Sequence, residues 1–233
     1  MKVDVSAYLI IGSENTNGRP VEDILKAALE VGFTCVQLRS KTASARELIE
    51  LSKRCADVIF ELNKSSEVAL LINDRLDVAL AARSKGIKVD GVHVGQDDIP
   101  AEICRKYLGD DAIVGFTPRK TNMIDYLKSY QFDDVDYLGV GPLHASTSKP
   151  DAGRQNDGSV VTRTLDELTE LVKISPLPIV VGGGVTVEDL PLIAKTGADG
   201  FFVISAVTNA VDPHLAAKNL VDCWKSSRRQ NSL

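Results

Sequence analysis

The segments LPIVVGGGV at residues 177–185 and ADGFFVISA at residues 198–206 decide the fold prediction. Each is a short apolar run that closes on a turn of small residues, at 182–184 in the first segment and at 204–206 in the second. Glycine permits a turn whose backbone N–H groups face an anion, because no Cβ stands in the way. Paired turns after the last two strands of a βα chain are typical of the phosphate site of a (β/α)₈ barrel. We therefore expect a phosphorylated small molecule as the ligand.

Outward from these two segments, apolar runs of strand length alternate with helix-periodic segments along the whole chain. Strands are predicted at 5–11, 34–38, 69–72, 91–94, 113–116, 137–140, 179–181 and 200–204. Helices are predicted at 21–31, 43–63, 76–84, 100–108, 121–130, 164–174, 187–196 and 213–225. Eight strands and eight helices favour a single α/β domain, a (β/α)₈ TIM barrel over residues 1–225, above an open doubly wound sheet. The polar, basic tail at 226–233 is expected to be frayed.

Composition excludes several classes of protein. The 233 residues are 44% hydrophobic and 25% charged, as in ordinary globular proteins. The net charge of −5 gives no general attraction to nucleic acid or anionic membranes. No apolar run approaches the ~20 residues that span a bilayer, and the N-terminal segment lacks the layout of a signal peptide. We expect a cytoplasmic protein with no nucleic-acid or membrane partner, and the oligomeric state stays open, with a homo-oligomer as one option.

In a barrel, the chemistry is expected directly after each strand. Read one by one, these positions have structural explanations, such as a solvated strand end or a helix N-cap, but together they place cations, carboxylates and hydroxyls at one mouth. The connection at 141–160 is long for a compact domain, and we interpret it as a lid over that mouth. His93, inside a strand, is interpreted as a hydrogen-bonded core histidine. The strand-end residues are Gln37, Arg39, Lys41, Asn73, Asp74, Gln96, Asp97, Asp98, Thr117, Ser146, Ser148 and Lys149.

This combination of side chains suits a diphosphate. Two carboxylates on neighbouring strands are the ligands that Mg²⁺ takes together with phosphate oxygens. Arginine and lysine around such a metal would offset the charge of a departing group. A second phosphate would sit at the glycine turn across the mouth. Two phosphorylated small-molecule substrates, one of which loses diphosphate, fit the pattern.

Motifs in the same order along the chain resemble those of the thiamine-phosphate synthase family. They are YLI at 8–10, QLRSK at 37–41, IND at 72–74, DGVHVGQDD at 90–98, GVGP at 139–142, GGV at 183–185, ADG at 198–200 and SA at 205–206. Each motif alone is weak, but their order and spacing together are specific. The resemblance covers nearly the whole chain.

The resemblance implies that 4-amino-2-methyl-5-(diphosphooxymethyl)pyrimidine is joined to 4-methyl-5-(2-phosphoethyl)thiazole, as its carboxylated tautomer, with release of diphosphate. It assigns Asp74 and Asp98 to Mg²⁺ and Thr117 to the pyrimidine ring, with Asp97 as the alternative to Asp98 because extra residues around 83–89 shift the alignment before the fourth strand. It further implies that Arg39, Lys41, Thr117 and Lys149 are catalytic. By the same resemblance, Gln37, Arg39, Lys41, Asn73 and Lys149 bind the pyrimidine diphosphate, and Ser146, Ser148, Gly184, Ile204 and Ser205 bind the thiazole phosphate.

The chain departs from the family pattern at three positions. Ser146 and Ser148 stand where the family usually has threonines, so the hydroxyl groups are kept and the stiffening methyls are lost. Thr117 stands where serine is usual, which adds a methyl group beside the pyrimidine. The alternatives are a thiazole tautomerase of the same fold, a phosphosugar isomerase or epimerase, and a non-catalytic barrel that binds a phosphate ligand. The diphosphate-binding cations and the carboxylate pair favour the synthase.

Overall fold

The computed structural model describes residues 3–118, 122–145, 153 and 160–230. Within these residues eight parallel strands close into one barrel, in which each strand pairs with its sequence neighbours and β8 pairs with β1. The strands are β1 (Ala7–Ile11), β2 (Cys35–Leu38), β3 (Ala69–Asn73), β4 (Gly91–Gly95), β5 (Ile113–Thr117), β6 (Tyr137–Val140), β7 (Ile179–Gly182) and β8 (Gly200–Val203). The predicted (β/α)₈ barrel is confirmed.

Helices follow the strands in the described part of the chain. They are α1 (Val21–Val31), α2 (Ala45–Glu61), α3 (Leu76–Ser84), α4 (Ala101–Leu108), α5 (Met123–Ser129), α6 (Leu165–Ile174), α7 (Leu190–Lys195), α8 (Ser205–Thr208) and α9 (Pro213–Gln230). The start of α2 lies two residues after the predicted one, because Ser44 caps this helix in a reciprocal pair with Glu47. The helix predicted at 187–196 is divided into a 3₁₀ turn, Val187–Asp189, and α7.

Two predictions near the C-terminus were wrong. The last strand ends at Val203 rather than residue 204, and the short helix α8 follows it. The tail from residue 226 was expected to be frayed, but α9 continues to Gln230. Arg228 holds this last turn, since its Nη1 donates to the Ala198 carbonyl at 2.9 Å and its guanidinium lies 5.8 Å from the centre of the Trp224 ring. Residues 231–233 lie outside the described residues.

Side chains alternate along each strand between the barrel interior and the helix layer. In β1, Leu9 and Ile11 pack with the helices, while Tyr8 and Ile10 belong to a separate interior cluster that includes Cys35. This alternation follows from the two-residue period of a strand. The interior positions nearest the carboxyl ends of the strands therefore project into the mouth of the barrel.

Aspartates at the opposite edge have a structural role. Asp90, Asp136 and Asp199 each directly precede a strand, and each accepts a backbone N–H from the preceding strand at 2.7–2.8 Å. Gly91 and Gly200 follow two of them, and a Cβ at either glycine would lie 1.8 Å from a backbone oxygen. The Asp-Gly pairs among the motifs therefore stabilise the barrel at the face away from the strand ends.

Candidate active site

The carboxyl ends of the strands bring most of the predicted site residues to one rim. Gln37 and Asn73 lie within β2 and β3, Thr117 ends β5, and Arg39, Lys41, Asp74 and Asp98 follow the strands closely. Gly184 follows β7, and Ile204 and Ser205 follow β8. Because the barrel is closed and parallel, all these positions share the same face. Ser146, Ser148 and Lys149 lie outside the described residues.

Lys41 and Asp74 connect the ends of β2 and β3. The Lys41 Nζ lies 3.0 Å from Asp74 Oδ2. Asp74 has a left-handed backbone with φ of 61°, a conformation that aspartate tolerates better than most residues. Its N–H donates to the His93 carbonyl at 2.9 Å, and the next residue, Arg75, donates its N–H back to Asn73 at 2.7 Å. This tight turn presents the Asp74 carboxylate to Lys41.

The carboxyl groups of Asp74 and Asp98 are in hydrogen-bond contact, and their pKa values move in opposite directions. Burial raises the pKa of Asp98, and the neighbouring Asp74 carboxylate raises it further. The Gly95 N–H, which donates to Asp98 Oδ2 at 2.8 Å, lowers this pKa but does not outweigh the other two effects. Burial acts to raise the pKa of Asp74 too, but hydrogen bonds from Lys41 and Asp98 outweigh it and hold the pKa below its ordinary value. Two carboxyls this close share a proton or a cation.

Arg39, directly after β2, contributes a further cation to the rim. Its backbone N–H donates to Ile11 at 2.9 Å, which fixes the residue at the end of β2. The side-chain Nε is buried and has no hydrogen-bond partner among the described residues. A buried guanidinium donor without a partner is costly, so this atom points to an anionic ligand.

Glu14 is a site-supporting residue that the sequence analysis missed. It lies in a 3₁₀ turn, Ser13–Asn15, directly after β1. Its carboxylate accepts from the Ser40 hydroxyl, from the Lys41 N–H at 2.9 Å, and from the N–H and hydroxyl of Thr42 at 3.1 and 2.9 Å. Burial opposes ionisation, but the Ser40 and Thr42 hydrogen bonds lower the Glu14 pKa to about 2. Glu14 thereby holds the loop that carries Lys41, and examining the end of β1 like the other strand ends would have found it.

A buried row of hydrogen bonds joins two predicted site residues through the barrel interior. Gln37 Nε2 donates to Tyr8 Oη at 2.5 Å, and Tyr8 Oη lies 2.8 Å from Tyr137 Oη. The Tyr137 Oη lies 2.9 Å from His93 Nδ1, and His93 Nε2 lies 2.7 Å from Thr117 Oγ1. His93 is buried and hydrogen-bonded, as predicted, but it also contacts a residue of the site. Tyrosine and histidine within otherwise apolar strands were the signal for this row.

The glycine turn after β7 is held against the segment after β6. Gly183 and Gly184 have φ of 85° and 73°, and a Cβ at Gly184 would lie 2.9 Å from the His144 Cβ. The His144 N–H donates to the Gly183 carbonyl at 2.9 Å. Next along the barrel, Ile204 caps α8. The turns after β7 and β8 are neighbours, as the sequence predicted for a phosphate seat.

Two features are absent from the described residues. Within those residues, no group of three or more His, Cys, Asp or Glu side chains forms a metal cage. The Asp74 and Asp98 pair is smaller than such a cage. Among the described helices, none combines the length and the apolar character needed to cross a membrane.

The fold and the rim define a (β/α)₈ barrel whose candidate site lies at the carboxyl ends of the strands. The family model described as thiamine monophosphate synthase (TMP-TENI) matches residues 7–207. The chain belongs to this family of enzymes. It is 39% identical over 223 residues to the thiamine-phosphate synthase of Natronomonas pharaonis, which covers 95% of this chain and 96% of that protein.

Two further comparisons agree with this assignment. The thiamine-phosphate synthase of Moorella thermoacetica is 38% identical over 213 residues, covering 91% of this chain and 92% of the relative. The solved structure of thiamine phosphate pyrophosphorylase from Pyrococcus furiosus superposes with a TM-score of 0.76 at 27% identity, covering 97% of this chain and 98% of that one. The similarity therefore extends over sequence and fold together.

Proposed function

We propose that this enzyme joins 4-amino-2-methyl-5-(diphosphooxymethyl)pyrimidine to the carboxylated tautomer of 4-methyl-5-(2-phosphoethyl)thiazole, giving thiamine phosphate and diphosphate. The family membership supports the product. The observation that carries the proposal is the charge arrangement at one rim, which holds the buried Arg39 donor together with the linked Lys41, Asp74 and Asp98 groups. An isomerase acting on a monophosphate has no use for that arrangement.

Asp74 and Asp98 would hold Mg²⁺. The chemistry of the donor set fits, because two carboxyls in contact carry opposing pKa shifts that a divalent cation between them would relieve. The contact with Asp74 also supports Asp98 over the adjacent Asp97 as the second ligand. When bound there, Mg²⁺ would supply a Lewis acid for the diphosphate oxygens.

The cations of the rim would neutralise the leaving group. Arg39, Lys41 and Lys149 would contact the diphosphate, with Asn73 as a polar ligand, and the dissociative step needs positioning and charge neutralisation rather than a general base. The aminopyrimidine ring expels diphosphate to give a methylene cation, and the thiazole nitrogen then donates its electron pair to that carbon. Gln37 and Thr117 would orient the pyrimidine ring.

The thiazole phosphate would occupy the turns after β7 and β8. Gly184, Ile204 and Ser205 are placed for this role, and Ser146 and Ser148 join them by the family resemblance. The left-handed glycines leave the turn free of side chains. We place the enzyme in the cytoplasm, because both substrates are polyanions that do not cross a lipid bilayer unaided.

The test is to incubate the purified protein with both substrates and Mg²⁺ and to measure thiamine phosphate after its oxidation to fluorescent thiochrome. We expect product that depends on both substrates, and no product with the pyrimidine monophosphate, which lacks the leaving group. Interconversion of the thiazole tautomers without any thiochrome signal would instead identify a tautomerase. Binding without turnover of either kind would identify the non-catalytic alternative.

A further inference from the structure

The hydrogen-bonded row from Gln37 to Thr117 has a direction. An amide nitrogen can only donate, so Tyr8 Oη accepts a hydrogen bond from Gln37 Nε2. The distances allow two directions from there. In the first, the Tyr8 proton goes to Tyr137 Oη, 2.8 Å away, and the Tyr137 proton goes to His93 Nδ1 at 2.9 Å. A neutral imidazole that accepts at Nδ1 carries its proton on Nε2. Nε2 is 2.7 Å from Thr117 Oγ1, which therefore accepts and keeps its own proton free for another partner.

The opposite direction is less favourable. It requires Tyr8 to give its proton to the Cys35 thiol, because its oxygen would then accept from both Gln37 and Tyr137. A sulfur atom is a weak acceptor compared with a phenol oxygen. Burial raises the pKa of both tyrosines, so both hydroxyls keep their protons and can donate. The stronger phenol acceptor for the Tyr8 proton therefore favours the direction from Gln37 towards Thr117.

Two glycines, one in β5 and one in β6, leave the space that this row occupies. A Cβ at Gly115 would lie 2.2 Å from Tyr137 Cζ and 2.5 Å from His93 Nδ1. A Cβ at Gly139 would lie 2.6 Å from Thr117 Oγ1. In the sheet register, Gly115 stands between His93 and Tyr137, so the His93–Tyr137 hydrogen bond passes over this glycine. Ordinary side chains at these two positions would exclude the row.

We propose that Tyr8, Tyr137 and His93 are positioning residues, which orient the Thr117 hydroxyl as a donor into the mouth of the barrel. The readout rests on the proposed function, in which Thr117 contacts the pyrimidine ring. A heteroaromatic ring that presents an acceptor nitrogen is favoured, and one that presents an N–H at the same place is rejected. The row thus contributes to specificity without touching the substrate, except at its two ends.

The first test measures the tautomer of His93 in the protein without substrates, and so does not depend on any activity. The chain has three histidines, and the variants His144→Asn and His214→Asn assign the His93 signals in ¹⁵N NMR by elimination. At pH 7.5 we expect a protonated Nε2 and an unprotonated Nδ1 for His93. A proton on Nδ1, alone or on both nitrogens, would overturn the proposed direction.

The second test is a double-mutant cycle with Tyr137→Phe and Thr117→Val. Tyr137→Phe alone should lower kcat/KM for the pyrimidine diphosphate about tenfold, the size of one lost polar interaction, and leave KM for the thiazole phosphate unchanged. Since Tyr137 acts through Thr117, the same substitution should change kcat/KM less than about twofold in the Thr117→Val background. Independent, fully additive losses would overturn the positioning role.

Controls separate this proposal from the proposed function. Tyr107→Phe removes a hydroxyl from an exposed tyrosine of α4 and should leave every parameter unchanged. If Tyr137→Phe does not fold, His93→Leu removes the residue that contacts Thr117 and enters the same cycle with the same expected result. A wild-type protein that makes no thiamine phosphate would refute the proposed function, while the His93 tautomer would still decide the direction of the row.

Discussion

The His144 Nε2 lies 2.9 Å from Asp189 Oδ1, which joins the segment after β6 to the 3₁₀ turn that follows the glycine turn of β7. Asp189 also accepts from the N–H and hydroxyl of Thr186 at 2.8 and 3.0 Å. Burial acts against ionisation of Asp189, but the hydrogen bonds from His144 and Thr186 outweigh it and lower its pKa. The Asp189 carboxylate therefore connects the segment after β6, through His144, to the end of the glycine turn, through Thr186.

Loss of this contact should weaken binding of the thiazole phosphate. We expect His144→Ala to raise KM for the thiazole phosphate about three- to tenfold, because the turn loses one polar tether, with KM for the pyrimidine diphosphate unchanged. Steady-state kinetics with each substrate varied in turn measures the effect. His214→Ala, on the exposed side of α9, is the matched control. Equal increases in both KM values would contradict a local role for His144.

Glu14 should make stability depend on pH in the acid range. Its pKa is about 2 in the folded protein against an ordinary value of 4.5. Its hydrogen bonds therefore stabilise the fold fully above pH 4.5, and this contribution is lost as the pH falls from 4.5 towards 2. Urea unfolding across this range should show a smaller decline for Glu14→Gln than for the wild type. Identical pH profiles for the two proteins would show that the Glu14 hydrogen bonds contribute no stability.

Asp98→Asn should weaken metal binding. Calorimetric titration of Mg²⁺ in the presence of inorganic diphosphate should show affinity reduced about tenfold or more, because one of the two proposed carboxylate ligands is lost. Asp97→Asn changes the adjacent carboxylate and should alter affinity less than about twofold. If Asp97→Asn has the larger effect, the assignment of the second ligand to Asp98 is wrong.

Gly115→Ala should destabilise the barrel more than a substitution at the neighbouring strand end. The new methyl would meet the Tyr137 ring at 2.2 Å inside the barrel, and overpacking of this kind costs about 1–3 kcal/mol. At Gly95, the nearest atom to the new methyl would be Asp98 Oδ2 at 3.2 Å, so Gly95→Ala should cost less. Urea denaturation of both variants gives the comparison. Equal unfolding free energies would mean that the interior of the barrel adapts to the added methyl.

The local sequence was sufficient to predict most of the strands and helices. Buried strands such as β3 and β7 are continuous apolar runs, and helices such as α1 and α6 repeat their apolar residues at the helical period, so both kinds of element were predicted closely. The helix α8 was missed because its four residues are too few to show a period. The last turn of α9 was missed because its residues are polar, and a contact with Ala198, 30 positions earlier, stabilises it.

The sequence by itself determined the alternation of strands and helices, and with it the rim at which Arg39, Lys41, Asp74 and Thr117 assemble, because parallel strands of a closed barrel all end on one face. Only the tertiary structure decided which of these groups touch. The Asp74–Asp98 contact, the support of Lys41 by Glu14 and the row through His93 each join residues from different strands or loops. Hydrogen bonds and pKa shifts depend on separations of a few ångströms, which no spacing along a chain specifies.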